Sequence, residues 1–200
     1  MKRAFLALTL IVAATVAEAD ACDLHKAGAK HETPPAAAAA STIPDVKVVT
    51  QDGKTVDFYS DLIKGKVVAV NFVFTSCTTV CPPLGAMFGK LQEQHASRIG
   101  KDEHLVSISI DPEVDTPERL KAWSKKFGAR PGWTLVTGKK DDIVRILKAM
   151  NAWSADYVNH QPVTIVGNDA TGTWKRSYGF TTAAKLAVML DELSAQEGGR

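Results

Sequence analysis

Val67 to Phe74 forms an almost unbroken apolar run in which only Asn71 is polar, and it is rich in β-branched and aromatic residues. A run of that length, closed by Thr75 and Ser76, predicts a strand covered on both faces. Cys77 and Cys81 follow, and then Pro82 and Pro83. Proline suits the first turn of a helix, where its missing N–H would have no partner. From Leu84 the apolar stripe Met87, Phe88, Leu91 and Ile99 predicts that helix.

The flanking pattern extends this unit into a domain. Val46, Val48 and Val49, the turn sequence around Asp52-Gly53, and Val56 with Phe58 predict a β-hairpin. His104 to Ile110 alternates like a buried strand and ends at Asp111-Pro112. Thr116, Pro117 and Glu118 open a helix running to Phe127 and stopping at Gly128, with threonine as cap and glutamate at the positive end of the dipole. A strand over Trp133 to Val136 and a helix over Lys139 to Met150 come next. Two strands, Val163 to Val166 and Thr173 to Tyr178, flank the polar turn GNDATG, and a helix over Thr181 to Leu193 closes the chain. This order predicts an α/β domain: a central mixed β-sheet, helices on both faces and an N-terminal β-hairpin.

Composition refines the ends. Lys2 and Arg3 precede an apolar segment, Ala4 to Ala17, and Ala19-Asp20-Ala21 fits a cleavage site before Cys22. Residues 1–21 therefore form an expected signal peptide, and the Ala- and Pro-rich residues 22–42 an expected flexible linker. Residues 43–200 are the expected folded domain. Lys2 and Arg3 cancel Glu18 and Asp20, so cleavage leaves the net charge of +2 unchanged. That balance gives no reason to expect a nucleic-acid partner. Cys22, as the first mature residue, is a candidate for lipidation, although Ala19 departs from the aliphatic residue usual in lipoprotein signals. Cys22, His25 and His31 form a scattered trio in the linker.

Export changes the chemistry open to Cys77 and Cys81. Residues four apart can converge on one point, as a disulfide or as a soft-metal site. An extracytoplasmic location favours the disulfide unless a reductant or metal intervenes. A helix N-terminus also lowers thiol pKa and makes a cysteine reactive. A small structural staple is the bland alternative, and a loop this short gains little from one.

Strand, cysteine turn and helix in this order resemble the thioredoxin fold. The segments NFVFTSCTTVCPP, SISIDPEVDTPERLKAW, GWTLVTG and YVNH resemble the Sco (SenC) family of copper-handling proteins. The resemblance implies a copper site of Cys77, Cys81 and His160 in an exported or membrane-tethered, periplasmic protein. The implied partner is the copper-receiving subunit of cytochrome c oxidase, or another exported cuproprotein. Some family members resemble thiol–disulfide reductases acting on the same client, with Cys77 and Cys81 as the redox pair. Asn159 stands where the family often has aspartate, and Gln161-Pro162 replaces its usual next residues. A proline there resembles thioredoxin-like enzymes and raises the expectation of a cis Gln161–Pro162 bond. His95 and His104 are expected to be solvated. Asp111 and Asp115 admit a structural role, at the strand end and beside the cap of the next helix, and Asp111 also a functional one, as a supporting or partner-docking carboxylate near the cysteines.

Overall fold

Every residue of the strand β3 (Val67–Val73) is buried, as an element covered on both faces requires. The protein is represented by a computed structural model that describes residues 43–154 and 162–196. The expected signal peptide, the linker with Cys22, His25 and His31, His160 and the Gln161–Pro162 bond fall outside those residues.

Around β3 lies a seven-stranded sheet. Its other strands are β1 (Lys47–Thr50), β2 (Thr55–Asp57), β4 (Glu103–Ser109), β5 (Trp133–Gly138), β6 (Val163–Asn168) and β7 (Thr173–Tyr178), in the spatial order β2-β1-β5-β4-β3-β6-β7. β3, β4 and β5 are parallel, and the remaining pairings are antiparallel, so the sheet is mixed as the pattern predicts.

Alternate residues of β3 feed two cores. Val67, Ala69 and Val73 face α2 (Cys81–Gln94), α3 (Pro117–Lys125) and α5 (Ala183–Ser194). Val68, Val70 and Phe72 face α1 (Phe58–Leu62) and α4 (Lys140–Ala149). Each Val or Phe side chain withdrawn from water contributes roughly 1.5–3 kcal/mol, so both faces hold the sheet in place. Among the described residues, no helix is long and apolar enough to cross a membrane.

Two local expectations need correction. Phe58 does not continue the hairpin's second strand but opens α1 and is fully buried. The Asp45 carboxylate accepts from the N–H groups of Tyr59 and Ser60, both at 3.0 Å, and draws the chain into a helical turn. His95 is not solvated: its side chain is only 10% exposed and its Nδ1 lies 3.0 Å from the fully buried carboxylate of Glu103. Burial of Glu103 is supported further by Arg98 at 2.8 Å and by the Ser194 hydroxyl at 3.0 Å, since an unpaired buried carboxylate would be strongly destabilising. His104 is half-buried and hydrogen-bonds the Lys101 carbonyl.

Candidate functional site

The site forms where the parallel strands end. β3 hands the chain to a turn in which the Cys77 N–H donates to the Phe74 carbonyl at 3.2 Å, and α2 then begins at Cys81 itself, with Pro82 and Pro83 next in its first turn. The prolines thus occupy the first turn of the helix, as the sequence predicts. Cys77 precedes the helix and Cys81 lies inside it. The Cys81 N–H donates to the Cys77 sulfur at 3.3 Å. Both are free thiols. A cavity of about 220 Å³ opens on them, lined by Phe72, Phe74, Thr79, Val80, Leu84 and Pro162.

The two sulfurs are unequal. Burial acts to raise the half-buried Cys77 thiol, but it is outweighed by hydrogen bonds from the N–H groups of Cys81, Thr79 and Val80 and from the Cys81 thiol. Its pKa therefore falls below the ordinary value, as expected for a sulfur at a helix N-terminus. Cys81 is 3% exposed. Burial pushes its pKa up to about 12, the Cys77 sulfur and the Asp115 charge add to the rise, and a bond from the Phe74 backbone opposes it. The Cys77 thiol thus ionises more readily than an ordinary thiol, while Cys81 keeps its proton at neutral pH. Such a pair can undergo thiol–disulfide exchange, or bind a soft metal if a third ligand joins it.

The carboxylates divide differently from either simple expectation. Asp115 is 1% exposed and belongs to the cysteine turn. Its Oδ1 accepts from the Thr75 N–H at 3.0 Å and the Thr75 hydroxyl at 2.5 Å, and its Oδ2 from the Ser109 hydroxyl at 2.7 Å. Arg119 Nε donates to the Thr75 hydroxyl oxygen at 3.1 Å. Asp111 instead borders a second cavity of about 330 Å³, with Glu113, Lys140, Ile143 and Trp153. Burial raises the Asp111 carboxyl, and the charges of Asp115 and Glu113 raise it further.

One further cluster among the described residues has metal-like composition, His95, Glu103 and Asp191. It lies around the start of β4, at the opposite end of the sheet from Cys77. The Arg98 guanidinium bridges it, reaching Glu103 at 2.8 Å and Asp191 at 2.7 Å. A cation already occupies that position, so the cluster is an ion-pair network.

Comparison with known proteins gives this geometry a family. The SCO1/SenC family profile matches residues 35–174, most of the chain, including Cys77, Cys81, Asp115 and the position of His160. The chain belongs to the SCO1/SenC family. Among its SCO1/SenC relatives, the SCO1 protein homolog of Bacillus subtilis is 39% identical over 90 residues, 44% of this chain and 45% of that protein. A candidate copper-binding protein of Stutzerimonas stutzeri is 30% identical over 108 residues, 54% of this chain and 51% of that protein. The chain spans about half the length of the curated relatives it matches. The solved structure of BsSco, described as a member of the Sco family of cytochrome c oxidase assembly proteins with a disulfide switch, superposes with a TM-score of 0.65. It is 27% identical, and the superposition covers 77% of this chain and 94% of BsSco. The mixed seven-stranded sheet flanked by helices is the thioredoxin-like fold of these Sco proteins.

Proposed function

We propose that this protein is an exported copper chaperone that carries one copper on Cys77, Cys81 and His160. In this reading, the signal peptide over residues 1–21 sends it to the periplasm and the linker over residues 22–42 precedes the working domain. The cargo passes to the copper-receiving subunit of cytochrome c oxidase or to another exported cuproprotein. The observation that carries the proposal is that Cys77 and Cys81 line one cavity, with the Cys77 Sγ accepting from the Cys81 N–H at 3.3 Å, in an SCO1/SenC chain. Two thiolates and an imidazole form a donor set suited to Cu(I) and able to hold Cu(II). Pro162 lines the cysteine cavity, and in this reading His160, two residues earlier in the sequence, supplies the third ligand.

A second reading is supported by the inequality of the thiols. In an extracytoplasmic thiol–disulfide oxidoreductase, the Cys77 thiolate would attack a client disulfide and release one client thiolate. Cys81 would then displace the other, leaving a Cys77–Cys81 disulfide and a reduced client. The same disulfide would exclude copper, since both sulfurs must be free to bind it. BsSco carries its disulfide switch in the same fold.

The first test is a copper titration of the reduced protein with Cys22→Ser, which leaves only the pair as thiols. One copper per chain is expected, and the added change Cys77→Ala/Cys81→Ala should abolish tight binding. Equal binding by the double-alanine protein would contradict the assignment.

A further inference from the structure

We propose that Asp115 is a positioning residue for the cysteine pair: its carboxylate clamps Thr75 and thereby sets the separation at which the Cys77 and Cys81 sulfurs meet. The inference rests on the reading that this pair is the working site.

Asp115 lies directly before Thr116, where a carboxylate would ordinarily serve the following helix. That task is already done, because the Thr116 hydroxyl accepts from the Arg119 N–H at 3.3 Å and caps α3. Asp115 turns the other way. It receives the backbone N–H and the hydroxyl of Thr75, a residue 40 positions earlier in the chain. A carboxylate buried to this degree persists only where several donors replace water.

Holding the strand ends together does not require it either. The parallel ladder between β3 and β4 continues to the Val73–Ser109 pair, and the Ile110 N–H donates to the Val73 carbonyl at 3.0 Å. Asp115 acts beyond the ladder, on the segment that leaves it. Thr75 stands two residues before Cys77, inside the turn closed by the Cys77 N–H to Phe74 carbonyl bond. Its hydroxyl donates to Asp115 and accepts from Arg119, so the side chain is held from two sides. A turn fixed in this way presents the Cys77 sulfur to Cys81 at a high effective concentration.

The dithiol–disulfide equilibrium with glutathione reads that concentration directly. The Cys77 thiolate attacks glutathione disulfide and releases one glutathione thiolate. Cys81 then displaces the second glutathione, closing the Cys77–Cys81 bond. The measurement compares the Cys22→Ser protein with the same protein carrying Asp115→Asn, Thr75→Val, Thr75→Ser or Thr116→Ala. Asp115→Asn and Thr75→Val should lower the equilibrium constant at least tenfold and accumulate the mixed disulfide. Thr75→Ser, which keeps the hydroxyl, should restore the starting value. Thr116→Ala should destabilise the fold by urea unfolding yet leave the constant within twofold. If Asp115→Asn does not fold, Thr75→Val decides. Wild-type constants in both Asp115→Asn and Thr75→Val, with only stability lost, would overturn the proposal. A starting protein that forms no Cys77–Cys81 disulfide and binds no copper would overturn the reading of the site as well.

Discussion

At the scale of single residues, the division of labour between Cys77 and Cys81 follows from where α2 begins. The sulfur just outside the helix collects backbone N–H groups, and the sulfur inside the first turn is buried. A lowered pKa leaves more thiolate at a given pH, and a raised one leaves less. Alkylation of the reduced, metal-free protein should therefore begin at lower pH for Cys77 than for a free thiol. At neutral pH Cys81 should react at least tenfold more slowly than Cys77. Mass mapping after a pH series with iodoacetamide checks this, and faster modification of Cys81 would contradict it. The cysteines themselves were legible from spacing and neighbours. The role of Asp115 was not, because its partner Thr75 is far away in sequence and no local pattern records a contact between two loops. His95 was misjudged for the same reason: its partner Glu103 belongs to the next strand, and the run from His104 gave no sign that β4 starts on a buried charge.

At the scale of elements, periodicity was a sound guide where one element faces one core. Among the described residues, all seven strands and four of the five helices follow it, with ends displaced by a few residues. It failed at Phe58, because Val56 and Phe58 alternate as a strand would while the Asp45 carboxylate captures the next two N–H groups for α1. The hairpin turn held: Gly53 has φ of +77°, a conformation that glycine adopts without strain. Helix α2 carries a further constraint that apolar periodicity does not express. A Cβ on Gly89 would lie 2.3 Å from the Phe127 carbonyl oxygen, so the segment after α3 approaches the helix backbone directly. Gly89→Ala should destabilise the protein by about 1–3 kcal/mol, in the range of overpacked cores. Urea unfolding measures this, and an unchanged midpoint would show that the segment can move aside.

At the scale of the molecule, the topology concentrates chemistry at one edge. β3 and β4 are parallel and end together, so the loop after β3 delivers the cysteines and the loop after β4 delivers Asp115. β6 runs antiparallel to β3, with Asn71 opposite Thr164, so its first residues also lie at this edge and Pro162 lines the cysteine cavity. The sheet order was legible only as a mixed α/β arrangement, since pairings such as β1 with β5 join segments far apart in sequence. The central claim concerns the third ligand. The proposed copper site uses His160 beside the two sulfurs, whereas thiol–disulfide exchange needs only the sulfurs and access to them. The most direct measurement is a copper titration of the reduced protein beside a disulfide-reduction assay, on the wild type and on His160→Ala. Copper affinity should fall at least tenfold, most for Cu(II), while disulfide reduction changes far less. Unchanged copper affinity with collapsed reductase activity would contradict the chaperone assignment and give His160 to thiol chemistry.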